Sequence, residues 1–170
     1  GAPIRLMEVC GTQTAEISRH GIRHLLPPGI QMISGPGCPV CVTVTAYVDR
    51  LVWLSRQENT TVVSFGDLFR VPGSRESLSE AKASGGHAVM VYAPSQMLTM
   101  ARQQPDRQFV FAAVGFETTA PIYAGMIRRA KEEGLQNLKF LTSLKTMPAA
   151  LRWICDHEPD IHGFLAPGHV

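Results

Sequence analysis

The sequence predicts an α/β protein built on parallel β-sheets, and two patterns support this prediction. Short apolar segments rich in β-branched residues alternate along the chain with segments of helical periodicity. Most of the apolar segments are continuously hydrophobic, as strands are when helices cover both faces of their sheet. Together the two patterns indicate repeated strand–helix–strand units.

Seven segments have the composition of buried strands, with apolar and β-branched residues bounded by Gly, Pro or polar residues. In chain order they are 4–9, 30–34, 61–65, 88–92, 109–114, 138–144 and 161–166. The segments between them have apolar residues at helical spacing. The predicted helices are 14–26, 45–57, 77–84, 95–103, 119–133 and 148–157.

Composition excludes several classes of function. The chain has 170 residues, of which 45% are hydrophobic and 18% charged, and its 16 Lys+Arg nearly balance its 14 Asp+Glu. A chain of this size buries a core without help from disulfides or metals, so its four cysteines are available for chemistry. A net charge of +2 with no basic run argues against nucleic acid or an anionic membrane as a partner.

The sequence has neither a membrane-spanning segment nor the pattern of a secretory signal. The longest uninterrupted apolar stretch, 109–114, is far shorter than a membrane-spanning helix, and the first residues lack the pattern of a secretory signal. Two of the four cysteines form a C-x-x-C motif, which suits a reducing compartment better than a secreted disulfide framework. We expect a cytoplasmic protein.

The residues that follow the strands are the candidates for a site. All strands of a parallel sheet end at one edge, and ligands bind in the crevice outside those carboxyl ends. Cys10 follows the first predicted strand, and Gly-Pro-Gly-Cys-Pro-Val-Cys (35–41) follows the second. Asp67, Glu117 and His169 follow the third, fifth and seventh. We therefore expect an active edge formed by these turns.

Cys38 and Cys41 are separated by two residues, a spacing that permits ring closure to a disulfide. We expect the pair at the start of helix 45–57, where the helix N-terminus would lower the pKa of a thiol. Gly35, Pro36 and Gly37 suggest a tight turn that lets the backbone approach a bound group. A redox or metal-binding role is favoured, with half of a zinc site and incidental thiols as alternatives.

Cys10 ends a strand and should lie at the same edge as the C-x-x-C pair, so three sulfur atoms could converge there. Soft thiolates select copper(I), zinc or iron. The alternative for Cys10 alone is a small buried hydrophobic residue. Cys155, in a helical stretch, is given no role.

The charged residues at the strand ends have two interpretations. Asp67 and Glu117 could bind a cation or act in acid–base chemistry, or they could simply brace their loops. His169 could be a ligand or a proton carrier. Arg70 is best explained as an ion-pair partner of Asp67. No P-loop, no G-x-G-x-x-G and no G-x-S-x-G motif occurs, which argues against a P-loop NTPase, a classical dinucleotide-binding fold and an α/β-hydrolase.

Five motifs occur in order and cover nearly the whole chain. They are Glu-Val-Cys-Gly (8–11), Gly-Pro-Gly-Cys-Pro-Val-Cys (35–41), Phe-Gly-Asp (65–67) with Arg-Val-Pro-Gly (70–73), Gly-Phe-Glu-Thr-Thr-Ala-Pro (115–121) and Pro-Gly-His-Val (167–170). This ordered set resembles the HypD family of hydrogenase maturation factors. The resemblance implies a scaffold on which iron receives cyanide and carbon monoxide ligands for nickel-iron hydrogenase. It also implies two partners, a HypC-like small chaperone and a HypE-like cyanide donor.

The resemblance also implies a role for each candidate residue. Cys10 matches the family's iron-site cysteine, and Cys38 with Cys41 matches its thiol–disulfide pair. Asp67, Glu117 and His169 match polar positions lining a cleft. Two departures are present: Gln13 stands where the family has a histidine, and Val44 stands where it tends to proline. Glutamine cannot carry a proton or supply an imidazole to a metal, so the two departures leave a divergent paralogue with altered metal chemistry as an alternative.

By the same resemblance we expect two similar α/β lobes around a cleft. The first lobe would comprise residues 11–117, and residues 1–10 and 118–170 would form part of the second, which would be truncated. Family members continue into a cysteine-rich region that holds an iron–sulfur cluster, whose ligands this sequence lacks. Two alternatives to the scaffold remain open: a free-standing thiol–disulfide oxidoreductase using Cys38 and Cys41, and a non-catalytic interaction fragment of the same fold.

Overall fold

A computed structural model of the chain describes residues 2–167, and in that range it contains parallel strands alternating with helices. The strands are β1 (Ile4–Glu8), β2 (Ile30–Ser34), β3 (Thr60–Ser64), β4 (Ala88–Met90), β5 (Gln108–Gly115), β6 (Leu138–Leu144) and β7 (Gly163–Leu165). The α-helices are α1 (Gly11–Arg19), α2 (Ile22–Leu25), α3 (Thr45–Ser55), α4 (Leu78–Ala83), α5 (Ser95–Gln103), α6 (Ala120–Glu132) and α7 (Met147–His157). A 3-10 helix spans Leu68–Arg70.

The predicted fold class is confirmed. The strands form a sheet of order β2-β1-β7 and a second sheet of order β4-β3-β5-β6. Every strand pairing in both sheets is parallel. Within each sheet the strands therefore end at one edge, which is the condition on which the choice of candidate residues depends.

The chain divides into two compact units. One comprises Gly1–Val42 with Thr146–Val170, and the other comprises Thr43–Lys145. These boundaries differ from the predicted lobes of 11–117 and 1–10 with 118–170. The reason is strand pairing: β1 lies between β2 and β7, with Ile4 opposite Ile30 and Leu6 opposite Gly163.

The unit of residues 43–145 has the larger core. Strand β5 is central in its sheet, and seven of its eight residues are buried, in keeping with its unbroken apolar sequence. Phe111 packs edge-on against Phe65, with ring centroids 5.5 Å apart, and lies 5.6 Å from Tyr123 of α6. This core fixes the strand ends that carry Asp67 and Glu117.

In the other unit, helix α7 covers one face of the β2-β1-β7 sheet. Met7 and Val9 form a buried cluster with Ile154 of α7. Because side chains alternate along a strand, Glu8 and Cys10 project from the opposite face. Cys10 keeps the extended conformation, with φ −150° and ψ 124°, so the alternation continues through it.

The predicted single helix 14–26 is wrong, since the structure has two helices there. Gly21 adopts φ 62° and ψ 22°, a left-handed conformation that interrupts the hydrogen-bond ladder between α1 and α2. Helix α1 also begins earlier than predicted, at Gly11. The predicted start at residue 77 is close to the observed one, because Ser77 and Glu80 form a capping box at α4. Among the described residues, no helix has the length and hydrophobicity needed to cross a membrane.

Candidate functional site

Two strand-end turns of the same unit pack directly against each other, and between them they carry three of the four cysteines. The turn after β1 contains Cys10, and the turn after β2 contains Gly35, Pro36 and Gly37. The Gly35 N–H donates to the carbonyl oxygen of Glu8 at 2.8 Å, and the Gly11 N–H donates to that of Gly37 at 3.0 Å. The predicted meeting of these two turns at one edge is therefore found in the structure.

The contact between the turns requires glycine. A Cβ atom placed on Gly37 would overlap the backbone nitrogen and Cα of Cys10. A Cβ on Gly35 would lie 2.8 Å from the carbonyl oxygen of Glu8. A Cβ on Gly11 would lie 3.5 Å from the Cβ of Cys38, which shows how near the two cysteine turns are. The Gly-Pro-Gly segment thus lets the turn after β2 pack directly on the backbone of the Cys10 turn.

Cys38 and Cys41 form a disulfide, with their Cα atoms 5.2 Å apart. The Cys41 N–H donates to the Cys38 sulfur at 3.2 Å. The predicted position at a helix start is wrong: both cysteines lie in a turn, and α3 begins only at Thr45. The turn geometry, and not a helix N-terminus, brings the two sulfur atoms together.

Cys10 is a free cysteine and is partly exposed. It occupies the N-cap position of α1, where its carbonyl oxygen accepts hydrogen bonds from the Thr14 N–H at 3.0 Å and the Thr14 hydroxyl at 3.2 Å. These bonds hold the backbone of the turn, while the thiol makes no capping bond. Cys10 therefore presents an available soft ligand beside the Cys38–Cys41 disulfide.

A complete metal centre is not formed by side chains of residues 2–167. In that range no three His, Cys, Asp or Glu residues are grouped so as to hold a metal ion. Two of the three sulfur atoms at this edge are joined to each other, which leaves the Cys10 thiol as the free one. Cys155, the other free cysteine, is exposed on α7. A metal at Cys10 would need ligands from elsewhere.

Sequence reasoning missed a buried ionic network directly beneath the cysteine turns. The side chain of Glu8 is completely buried, and the Arg23 guanidinium of α2 donates to it at 2.9 Å. The same Arg23 nitrogen donates to the Ser34 hydroxyl at 3.0 Å, which joins the ends of β1 and β2. The second carboxylate oxygen of Glu8 has no hydrogen-bond partner. An acidic residue inside the apolar run 4–9 is the signal that could have revealed this network.

Gln13 lies on the first turn of α1, three residues after Cys10. Its amide nitrogen donates to the carbonyl oxygen of Ala166, just beyond β7, at 3.1 Å. Its amide oxygen is buried and has no hydrogen-bond partner. Gln13 therefore ties the Cys10 turn to the end of a third strand and keeps one acceptor unused.

Asp67 and Glu117 lie in the other unit, after the adjacent strands β3 and β5, and both are exposed. The Asp67 carboxylate accepts a hydrogen bond from the Leu68 N–H at 3.1 Å and caps the 3-10 helix. That contact agrees with the bracing alternative. The expected ion pair between Asp67 and Arg70 is wrong for the described residues, where no ion pair joins these two exposed side chains.

Tyr123 is the buried polar group near the Asp67 end of this sheet. Its hydroxyl donates to the carbonyl oxygen of Val114 at 2.8 Å. Burial raises the pKa of Tyr123 to about 12, and the charge of Asp67 adds to the rise. The hydroxyl is protonated at neutral pH, and its hydrogen bond fixes the end of β5. His169, the remaining candidate, lies outside the described residues.

Comparison with known proteins identifies the family of the chain. The family model for HypD, described as the hydrogenase formation hypA family, matches residues 1–170. The hydrogenase maturation factor HypD of Rhodobacter capsulatus is 44% identical over 170 residues, which are 99% of this chain and 45% of that protein. HypD of Escherichia coli strain K12 is 42% identical over 170 residues, again 99% of this chain and 45% of the relative. The chain spans less than half the length of these relatives, and it belongs to the HypD family of hydrogenase maturation factors.

Proposed function

We propose that this chain supplies the iron-binding thiol and the redox pair of a scaffold that assembles the iron centre of nickel-iron hydrogenase. In this proposal the iron is cargo: it is held while cyanide and carbon monoxide are attached, and is then passed on. The observation that carries the proposal is the packing of the free Cys10 turn on the Cys38–Cys41 turn through backbone contacts. Family membership supports it.

Cys10 is the proposed iron ligand. Cyanide and carbon monoxide bind low-valent iron, for which a soft thiolate is a suitable ligand. Because residues 2–167 hold no group of three ligating side chains, we assign the other iron ligands to the diatomic groups and to a partner. A HypC-like chaperone that contributes its own cysteine fits this requirement. A HypE-like protein is the proposed cyanide donor.

Cys38 and Cys41 are the proposed electron source. Oxidation of two thiols to the disulfide releases two electrons and two protons, which would keep the iron reduced during ligand attachment. An iron–sulfur cluster elsewhere in the maturation complex would return the disulfide to the dithiol. Asp67, Glu117 and His169 are proposed to contribute polar groups to the assembly site of the whole protein.

The proposal is tested by anaerobic reconstitution with iron and the two partners, followed by infrared spectroscopy. We expect cyanide and carbonyl stretching bands in the wild-type complex and none in Cys10→Ala. The matched control is Cys155→Ala, which removes the other free cysteine and should keep the bands. Unchanged bands in Cys10→Ala would contradict the assignment of the ligand.

A free-standing thiol–disulfide oxidoreductase is the second candidate, favoured by the Cys38–Cys41 disulfide itself. This function predicts turnover of disulfide substrates without iron and without partners. It also predicts that Cys10→Ala leaves the turnover rate unchanged. Cys10→Ala therefore distinguishes the two candidate functions, through the infrared bands in one assay and the turnover of disulfide substrates in the other.

A further inference from the structure

A basic cleft lies at the edge of the β4-β3-β5-β6 sheet opposite to Asp67 and Glu117. Its volume is about 430 Å3, and it is lined by residues at the starts of three strands: Thr61 of β3, Ala88 of β4 and Phe109 of β5. Small-molecule sites have volumes of roughly 300–1,000 Å3, so the cleft is large enough for a ligand of modest size. Nothing in the proposed maturation chemistry uses this edge.

The charge of the cleft is uncompensated. Lys82, His87 and Arg107 line it, and none of the lining residues is acidic. Within residues 2–167, neither Lys82 nor Arg107 takes part in an ion pair. Cations held near one another without a counter-charge repel, and a bound anion removes that repulsion.

Arg107 is held in place by its neighbours. Its Nε donates to the hydroxyl of Thr61, a contact that leaves the terminal guanidinium nitrogens able to bind a ligand. Asn137, only 5% exposed, donates to the carbonyl oxygens of Arg107 and Gln104, both at 3.0 Å. A guanidinium fork fixed in this way matches the oxygen atoms of a phosphate group.

The remainder of the cleft is apolar. Val89 and Met100 are half-buried in its wall, and Phe109, at 1% exposure, lies beneath them. A ligand that satisfies both parts has an anionic end and an apolar or heteroaromatic body. We propose that this cleft binds a phosphate monoester with such a body, with Arg107 and Lys82 on the phosphate and Val89 and Met100 against the body.

Calorimetric titration of the full chain with adenosine monophosphate tests the proposal, and inorganic phosphate and glycerol 3-phosphate serve as probes without an apolar body. We expect saturable binding of adenosine monophosphate, and weaker binding of the other two. Arg107→Gln should weaken binding by about tenfold or more, because it removes both the charge and the fork. Lys82→Gln should weaken it less.

Arg75→Gln is the matched control, since Arg75 is exposed in the same unit and does not line the cleft. It should bind as the wild type does. Arg107→Lys preserves the charge and separates loss of the fork from loss of folding, which circular dichroism monitors for every variant. Absence of saturable binding, or binding that Arg107→Gln and Lys82→Gln leave unchanged, would overturn the proposal. Binding by Cys10→Ala should be normal, so this test is independent of the iron chemistry.

Discussion

Replacing Gly37 with alanine tests whether the backbone contact between the two cysteine turns creates the site. The new Cβ would overlap Cys10 and the carbonyl carbon of Val9, well inside the 3.0 Å that Cβ atoms keep from other heavy atoms. Because the obstructing atoms are backbone, the turn itself must retreat. Overpacking and the lost hydrogen bond from Gly11 together predict a destabilisation of about 2–4 kcal/mol. With a urea m value of about 2 kcal/mol/M, the unfolding midpoint falls by about 1–2 M.

Tryptophan fluorescence can follow the relevant unit alone. The chain has two tryptophans, one in each unit, so in a Trp53→Phe background the signal comes from Trp153 of α7. Gly29→Ala is the matched control, because no heavy atom lies within 4 Å of the Cβ it would add. We expect Gly37→Ala to lower the midpoint and to abolish Cys10-dependent iron loading, and Gly29→Ala to change neither. Equal stability and equal loading in the two variants would refute the argument.

Three further predictions concern the ion pairs and Gln13. Arg23→Ala should destabilise the protein by up to about 3–5 kcal/mol in urea unfolding, because it leaves the buried Glu8 carboxylate without its cation. Hydrogen bonds from Arg102 and then Arg129 lower the pKa of Glu133 from 4.5 to about 2, so its contribution to stability is complete above pH 4.5 and is lost as the pH falls toward 2. Glu133→Gln should therefore reduce the dependence of the melting temperature on pH between about pH 4.5 and 2. Gln13→His should increase iron retained after anaerobic desalting, because a ring nitrogen can bind the metal that the amide cannot.

Two of these variants have a matched control in the chain, and each of the last two has an outcome that would contradict it. Arg19→Ala removes an exposed arginine that pairs with Glu16 and should cost less than 1 kcal/mol, or about the value of a surface ion pair. Glu132→Gln removes a carboxylate 3.7 Å from Arg128 and should leave this pH dependence as it is in the wild type. If Gln13→His retains no more iron than the wild type, glutamine is a neutral replacement. A Glu133→Gln profile parallel to the wild type would contradict the assigned pKa.

The strands were predictable because their signal is local. Strand β5 is an unbroken apolar run, and its predicted bounds of 109–114 differ from Gln108–Gly115 by one residue at each end. The division of the chain into units was not predictable in this way. Strand β1 pairs with β7, whose residues lie more than 150 positions away, and no local pattern encodes that choice of partner.

The candidate site was predictable where it depends on the rule that parallel strands end together. That rule alone brought Cys10 to the turn of Cys38 and Cys41. The rule could not decide whether Cys38 and Cys41 lie in a turn or at the start of a helix, since either can follow Gly-Pro-Gly. It also could not reveal the Glu8–Arg23 pair, because burial of a charge depends on where α2 packs, and α2 exists only because Gly21 breaks the preceding helix.

The cysteine turns touch through main-chain atoms and glycines, and this determines which residues around them can change over evolutionary time. Side chains around the thiols can be exchanged without rebuilding the geometry that holds the sulfur atoms together, as long as the glycines stay. Gln13 is different, because its hydrogen bond to Ala166 ties the Cys10 turn to the end of β7. Substitutions around the cysteine turns should therefore change the surroundings of the thiols while the backbone positions of the cysteines stay as they are.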